Sequence, residues 1–243
     1  MNNYNILVRV CERINCPGNY LNLVLSELSK LGVTEILSDG GVEFMGVRLL
    51  GKGQNSFVFK CRIDYDHYAC KIRRFDSPRP NLLNEGNYLR LANSVGVGPR
   101  IIDYADNVLI MELINGLPIQ KYVITASPGE LRVILRDLLW QCRKLDSIGL
   151  AHNELSRPQD HIIINGSKAY IIDFESASLN SRVSNVAQLI NALIMGKGFI
   201  QSRVRSVIGV NINFDELRNA IRRYKATRSN TDFIHILMLL NLG

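Results

Sequence analysis

The sequence predicts an α+β protein with two lobes, the first built on an antiparallel sheet and the second built mainly from helices. Residues 34–74 consist of short runs rich in Val, Ile, Phe and Tyr, separated by turns that contain Gly and Asp. Residues 128–148 instead carry an apolar stripe at helical spacing. A sheet-rich half followed by a helical half is typical of two packed lobes, and the connector is expected near residues 115–117.

The remaining apolar patterns predict the other elements. In the first half, leucines at helical spacing that end at Gly32 predict a helix before the sheet, and a second amphipathic run predicts another helix after it. In the second half, Asn165-Gly166 is a favoured two-residue hairpin turn between two short apolar runs. The expected helices cover residues 17–32, 81–94, 184–195, 214–226 and 231–241, and the expected strands cover residues 99–104, 108–113, 161–164 and 169–172.

These elements divide the chain into three expected segments. Residues 1–45 are predicted to be a helix-and-hairpin extension that packs on the first lobe, with a fragment of a winged-helix-like module as the alternative. Residues 46–114 would form the first lobe and residues 115–243 the second. One helix and a hairpin are too little for an independent DNA-reading domain, so packing is the expected role of the extension.

Composition limits the possible environments and partners. No run approaches the roughly 18 to 20 apolar residues of a membrane span, and the first residues lack the pattern of a secretory signal, so we expect a cytoplasmic protein with no membrane contact. Five scattered cysteines predict reduced thiols rather than disulfides or a structural metal. The net charge of +7 favours polyanions, which leaves an RNA or ribonucleoprotein partner as a secondary hypothesis.

Residues 51–58 combine a glycine-containing turn with strand-like flanks. Gly51 and Gly53 would let the backbone approach a phosphate closely, and Val58 could cover a purine ring. Ser56 stands where such a loop would carry a third glycine. Two glycines are also common in ordinary hairpins, so this segment alone leaves a simple turn open as the alternative.

Lys71 lies in an otherwise apolar strand that also contains Ala69. A charged amine inside such a strand needs an anionic partner, and Glu85 on the following predicted helix is the candidate. In that arrangement the ammonium group could also bind phosphate oxygens. The alternative is a lysine on an edge strand with its head group in solvent.

Two acidic residues follow elements of the second half. Glu154 comes after the long helix, within His152-Asn153-Glu154, and Asp173 comes directly after the apolar run 170–172. Phosphoryl transfer needs one carboxylate that orients the acceptor hydroxyl and another that holds magnesium against the phosphates. Glu154 and Asp173 are therefore candidates for these two roles.

The sequence resembles the protein-kinase superfamily, and especially its reduced members, the RIO kinases and the kinase of the KEOPS complex. The resemblance covers about residues 46–196. It implies a bilobal protein-kinase-like fold with an antiparallel β-sheet N-lobe and a reduced, mainly α-helical C-lobe. The resemblance lies in the order of GKGQNSFV, YACK, Glu85, VLIMELINGLP, HNELSRPQDHIII and IIDFE.

The resemblance implies ATP as the nucleotide. Lys71 would contact the α- and β-phosphates and pair with Glu85, and the backbone of Met111, Glu112 and Leu113 would meet adenine. The full implied set of nucleotide-binding residues is Gly51, Gly53, Ser56, Val58, Ala69, Lys71, Glu85, Met111, Glu112 and Leu113.

The resemblance also implies catalytic and metal-binding residues. Glu154 would stand in place of a catalytic Asp, with Lys71 and Asp173 as the other catalytic residues. Asp173 would also bind Mg²⁺ or Mn²⁺. The second metal ligand would be Asp160 or His161. Asp160 is favoured because a hard cation prefers oxygen atoms, although His161 aligns equally well with the start of a strand.

Two departures from the kinase pattern bear on activity. Glu154 is longer than Asp by one methylene, which moves its carboxylate by about 1.5 Å, and a shift of that order can lower a rate on the order of a hundredfold. Glu175 replaces a glycine of the metal-binding motif, and no long activation segment follows Asp173. Docking of peptide substrates as in large kinases is therefore not expected.

Three functions remain open from the sequence. The favoured one is an atypical Ser/Thr protein kinase that phosphorylates itself or a protein substrate. The second is an ATPase or nucleotide-binding switch in an RNA- or ribosome-related assembly, which the basic surplus and the departures support. The third is a small-molecule kinase, although few residues follow Asp173 to enclose a small substrate. The oligomeric state is not predicted.

Overall fold

The computed structural model describes residues 3–209 and 212–243 and divides the chain into two compact units. The first unit contains Met1–Arg90 and Pro99–Ile114, and the second contains Leu91–Gly98 and Asn115–Gly243. The first is built on a sheet and the second mainly on helices, so the predicted α+β class is confirmed.

The first unit begins with two helices and continues as antiparallel strands with one further helix. The predicted helices at residues 17–32 and 81–94 are confirmed, whereas the helix at the N-terminus was not predicted. The elements are α1 (Asn5–Arg13), α2 (Gly18–Lys30), β1 (Glu35–Leu37), β2 (Val42–Phe44), β3 (Val47–Leu49), β4 (Gly51–Lys52), β5 (Ser56–Ile63), β6 (Asp66–Arg73), α3 (Leu83–Ser94), β7 (Ile101–Tyr104) and β8 (Val108–Glu112).

The main sheet has the strand order β1-β5-β6-β8-β7, with β4 paired to β5, and all its pairs are antiparallel. Successive side chains of a strand point to opposite faces. One face carries the large apolar side chains of β5, β6 and β8, which share a core with Leu7 and Val10 of α1 and Val24 and Leu28 of α2. The two N-terminal helices therefore cover one face of this sheet.

A polar contact fixes α2 against the sheet as well. The Glu27 carboxylate accepts hydrogen bonds from the backbone N–H and the side-chain Nδ2 of Asn107, each at 2.8 Å. Asn107 lies in the turn between β7 and β8. The assignment of residues 1–45, 46–114 and 115–243 as extension and two lobes stays a prediction.

The second unit is organised around α5, the long helix that the apolar stripe predicts. Ser127, the N-cap residue just before the helix, forms a capping box with Glu130. Pro128 occupies the first turn, where its missing N–H is not needed. The elements are β9 (Leu117–Pro118), α4 (Ile119–Thr125), α5 (Pro128–Ser147), β10 (Leu150–Ala151), α6 (Pro158–His161), β11 (Ile162–Asn165), β12 (Lys168–Ile171), β13 (Ser178–Leu179), α7 (Asn185–Ile190), α8 (Phe199–Ile208), α9 (Phe214–Thr227) and α10 (Asn230–Leu239).

Most of the remaining predictions in this unit are confirmed. The hairpin turns at Asn165-Gly166, where Gly166 has a φ of 58°. The helix expected at residues 184–195 is α7 followed by a π-helical turn, Asn191–Met195. The helices α4 and α8 were not predicted. Within the described ranges, no helix has both the length and the apolar character to cross a bilayer.

One close packing contact sets the position of α3 on its sheet. A Cβ atom added to Gly86 would lie 2.5 Å from the ring of Tyr104 on β7. The backbone of α3 therefore approaches this ring more closely than any other residue type would allow. Glu85 immediately precedes this contact.

We expect Gly86→Ala to lower the free energy of unfolding by about 1 to 3 kcal/mol, because the added methyl group overpacks this contact. Gly129→Ala is the matched control, since it is also a helical glycine but has no atom near its added Cβ. The control should change stability by less than about 1 kcal/mol, in the stabilising direction. Urea unfolding of both variants measures the difference, and equal effects would contradict the packing argument.

Candidate functional site

The sheet face opposite the N-terminal helices carries the predicted nucleotide-binding side chains. Lys71 pairs with Val58 on β5, and Ala69 pairs with Met111 on β8. Residues that pair across antiparallel strands share a face, and so do residues two apart along one strand. Val58, Ala69, Lys71 and Met111 therefore lie on one face of the first unit.

Lys71 forms an ion pair with Glu85 at the centre of this face. The Lys71 Nζ and Glu85 Oε1 atoms are 2.7 Å apart, and each side chain is only 5% exposed. Glu85 stands in the first turn of α3, where the N-terminal end of a helix favours a negative charge. The predicted pairing is confirmed, while its role in nucleotide binding stays a prediction.

The glycine-containing turn joins β4 to β5 beside this face. Gly51 pairs with Val58, and the Gly53 N–H donates to the Ser56 carbonyl at 2.9 Å. Gly53 is exposed and Ser56 is buried. The turn thus presents backbone at the end of β4 next to the strand that carries Val58.

The predicted adenine-contacting segment lies at the end of β8. Of its three residues, Met111 shares the face of Lys71 through its pairing with Ala69. The side-chain carboxylate of Glu112 accepts a hydrogen bond from the Arg100 N–H at 3.0 Å. Leu113 follows the strand and is half-buried.

In the second unit, a short hairpin brings His161 and Asp173 to the same end. Ile162 pairs with Ile171, so the residue before β11 and the residues after β12 lie side by side. The Ile172 N–H donates to the His161 carbonyl at 2.9 Å and extends this pairing by one step. Asp173 follows at once, with a φ of 67° that turns the chain away from the strand.

Glu154, His161 and Asp173 form a cluster in this unit. One ligand atom from each lies within 4.8 Å of the other two. His161 Nε2 is 3.8 Å from Glu154 Oε2, and His161 Nδ1 is 3.9 Å from Asp173 Oδ2. Asp160 is exposed and is not a member of this group, so the structure brings His161 rather than Asp160 to the two acids.

The short helix α6 explains this choice between neighbours. It begins at Pro158, and the Arg157 N–H donates to the Glu154 carbonyl at 2.9 Å, so the chain coils tightly after Glu154. His161 ends the helix facing inward, and Asp160 faces outward. The Arg157 guanidinium also contacts Glu154 Oε1, which leaves Glu154 Oε2 on the side of His161.

His152 packs against His161, one member of this cluster. It is fully buried, its Nε2 lies 2.9 Å from the Ile172 carbonyl, and its ring packs edge-on against His161 and Phe174. Burial lowers the pKa of His152 to about 4, with the bond to Ile172 acting in the opposite direction. At neutral pH the ring is therefore uncharged and donates its Nε2–H to that carbonyl.

Asn153, between His152 and Glu154, adopts a left-handed backbone with a φ of 70°. Such a conformation is uncommon outside glycine, and Asn is among the residues that tolerate it. Its side chain donates to the Ser176 carbonyl at 2.8 Å and to Ser178 Oγ at 2.9 Å. These bonds tie the residue before Glu154 to the segment that follows Asp173.

A buried hydrogen-bond network around Asp146 holds the loop of residues 152–154 through Asn185. Sequence analysis missed this network. Asp146 at the end of α5 accepts bonds from Ser184 Oγ, the N–H and Nδ2 of Asn185, and the hydroxyl of Tyr224. Asn185 Oδ1 in turn accepts the His152 N–H at 2.9 Å. The available signal was an acid on the apolar face of a predicted helix, which requires buried donors.

The acidic cluster fits a divalent cation. Two carboxylates supply the oxygen ligands that Mg²⁺ and Mn²⁺ prefer. The buried nitrogens of His161 have no hydrogen-bond partner in the described part of the chain. Glu154, His161 and Asp173 are thus the residues of the second unit that could hold a metal.

Comparisons with known proteins identify a domain family for this chain. Residues 59–189 match the RIO domain. The matched range begins within β5 and includes Lys71, Glu85, Glu154 and Asp173. The chain is also similar to an uncharacterized protein of Methanocaldococcus jannaschii, with 32% identity over 118 residues that cover 47% of this chain and 98% of the relative.

The buried state of His152 predicts a specific pH dependence of stability. Its pKa is about 4 in the folded chain against 6.5 for an ordinary histidine, so between these pH values the unfolded state binds more protons. The free energy of unfolding should therefore fall as the pH falls through this window, by up to about 3 kcal/mol from this residue. Chemical unfolding at pH 7 and at about pH 4.5 measures the effect.

The non-titrating variant His152→Asn should lose most of this pH dependence, even though it is less stable at pH 7. The matched control His67→Asn replaces an exposed histidine and should retain the pH dependence of the wild type. Identical pH profiles for the wild type and His152→Asn would contradict the assignment.

Proposed function

Because the chain belongs to the RIO domain family, we propose that it is an atypical protein kinase that transfers the γ-phosphate of ATP to a Ser or Thr hydroxyl. The acceptor is a protein substrate or the chain itself. The observation that carries the proposal is the buried ion pair between Lys71 and Glu85 on the sheet face that holds the predicted nucleotide-binding residues. A lysine positioned by a glutamate is the phosphate-binding arrangement of protein kinases.

The first unit binds ATP in this proposal. Lys71 contacts the α- and β-phosphates, and Glu85 fixes the direction of the Lys71 side chain. Val58 and Ala69 cover the purine from the sheet, and backbone groups at residues 111–113 bind its edge. The turn at Gly53 lets the backbone approach the phosphates without a side chain in the way.

The second unit carries the catalytic and metal-binding groups. Asp173 holds the metal, with His161 as a further ligand. The metal, when bound, neutralises charge on the phosphates and orients them for in-line attack. The hydrogen bonds of the loop from His152 to Glu154 hold the Glu154 carboxylate in a fixed position next to the hairpin.

Glu154 acts as the general base. Its carboxylate accepts the proton of the acceptor hydroxyl as that oxygen bonds to the γ-phosphorus. The bond between the γ-phosphorus and the bridging oxygen breaks, and ADP leaves with the electron pair of that bond. The contact between Arg157 and Glu154 Oε1 restricts the longer Glu side chain, so that Oε2 is the oxygen available for the proton.

A second candidate function is an ATPase or nucleotide-binding switch in an RNA- or ribosome-related assembly. Only residues 174–184 separate Asp173 from α7, and Ser178–Leu179 within them pair with β10. So short and anchored a segment offers little surface for a peptide substrate. The net charge of +7 suits a polyanionic assembly. A cytoplasmic location is proposed for both functions.

The test of this proposal follows the γ-phosphate itself. Purified protein is incubated with γ-labelled ATP and Mg²⁺ or Mn²⁺, and label on protein and released phosphate are measured separately. We expect label on the wild type and at least about a hundredfold loss in Lys71→Ala and Asp173→Ala, because each removes a charge that acts on the phosphates. Lys30→Ala is the matched control, since Lys30 is an exposed lysine in the last turn of α2, the helix that packs on the opposite face of the sheet.

The outcomes separate the two functions. Phosphate release without label on the chain or on added protein, lost in the same two variants, would replace the kinase proposal with the ATPase switch. Absence of both activities in a folded wild type would overturn the kinase and the ATPase, and would leave a nucleotide-binding switch only if the protein still binds ATP.

A further inference from the structure

His161 is a buried side chain, only 5% exposed. Within the described residues neither of its ring nitrogens has a hydrogen-bond partner. The carboxylate oxygens Glu154 Oε2, at 3.8 Å from Nε2, and Asp173 Oδ2, at 3.9 Å from Nδ1, lie beyond hydrogen-bonding distance. Burying a polar group in this way is costly unless something satisfies it.

One ligand atom from each of the three residues lies within 4.8 Å of the other two. Metal–ligand bonds of about 2.0 to 2.2 Å at tetrahedral angles place neighbouring ligand atoms about 3.3 to 3.6 Å apart. Glu154 Oε2 is 3.8 Å from His161 Nε2, whereas Asp173 Oδ2 is 3.9 Å from His161 Nδ1. Because only one ring nitrogen binds the metal, rotation of the side chains must bring both carboxylates to the same nitrogen. The backbone need not move, because the hairpin already holds His161 and Asp173 side by side.

The charge at the cluster also suits a divalent cation. Two carboxylates together carry the charge that balances a dication. The Arg157 guanidinium contacts Glu154 Oε1, and Glu154 Oε2 is the oxygen that faces His161. The neighbouring ring of His152 packs edge-on against His161 at 5.2 Å between centroids.

We propose that Glu154, His161 and Asp173 form a site for a borderline divalent metal, Mn²⁺ or Zn²⁺, that binds in the absence of nucleotide and in preference to Mg²⁺. Mg²⁺ demands oxygen ligands and keeps its waters, whereas an imidazole nitrogen suits transition metals. The proposal deepens the proposed function and rests on it only for the part that the metal plays in phosphoryl transfer. Glu154 thereby becomes a metal ligand when ATP is absent.

The experiment uses the full chain, freed of metal with a chelator and without nucleotide. Mn²⁺ is titrated in, and the electron paramagnetic resonance signal of free aqueous Mn²⁺ reports how much is bound. We expect one tight equivalent per chain, an affinity at least about tenfold lower in His161→Asn, and no displacement by a tenfold excess of Mg²⁺. Zn²⁺ should displace Mn²⁺, since it binds nitrogen ligands more strongly.

Asp160→Asn is the matched control, because this exposed carboxylate adjoins His161 in the chain but lies outside the cluster. It should leave Mn²⁺ binding unchanged. A readout that needs no variant is hyperfine coupling of bound Mn²⁺ to an imidazole nitrogen in the wild type. This coupling keeps the test decisive if His161→Asn fails to fold.

Three results would overturn the proposal: no Mn²⁺ binding by the folded wild type, no imidazole coupling in the bound state, or equal loss of affinity in Asp160→Asn and His161→Asn. These results are independent of the labelling experiment. Tight Mn²⁺ binding without phosphate transfer would leave the metal site standing and remove the kinase. Phosphate transfer by a protein that binds no Mn²⁺ without nucleotide would leave the kinase proposal standing and remove the metal-site proposal.

Discussion

The ion pair between Lys71 and Glu85 is the interaction on which the arrangement of the first unit depends. Both side chains are almost fully removed from water, and the desolvation of two charges offsets much of their attraction. Apolar side chains of similar volume would serve stability as well at this position. The pair nevertheless links α3 to β6. The close contact between Gly86 and Tyr104 sets how near α3 lies to the sheet. We infer that the pair is kept for an anionic ligand rather than for stability.

The second unit holds the acids Glu154 and Asp173 beside one hairpin, and uncommon backbone conformations occur at Asp173 and at Asn153, the residue before Glu154. Asn153 and Asp173 both have positive φ values, and such strain persists only where the surroundings determine the conformation. Here the conformation is determined by hydrogen bonds that the Asn153 and His152 side chains make and by the bond that Asn185 Oδ1 accepts from the His152 N–H. Asp146 anchors the last of these at the end of α5. The loop of residues 152–154 is thereby held both by its own side chains and by the helical core.

Sequence patterns predicted the parts of the fold that depend on local periodicity or turn chemistry. The apolar stripe of α5 and the Asn165-Gly166 hairpin are both of this kind. The Asp146 network was missed because its partners lie far along the chain and meet only in the folded unit. Sequence reasoning also favoured Asp160 over His161, whereas the structure brings His161 to the two acids, because adjacent residues differ in the direction that α6 gives them. Pairing of Lys71 with Glu85 was predictable because a lysine in an apolar strand requires an anion.

The central claim is that the buried Lys71–Glu85 pair exists to bind the phosphates of ATP. Calorimetric titration of the wild type, Lys71→Met and the control Lys30→Met with ATP and Mg²⁺ tests it most directly, because binding is measured without any need for catalysis. The wild type and Lys30→Met should bind ATP with the same affinity, and Lys71→Met should bind about ten- to a hundredfold more weakly, as expected for loss of a charged hydrogen bond. Equal affinities for Lys71→Met and the wild type, or no binding by either, would contradict the claim.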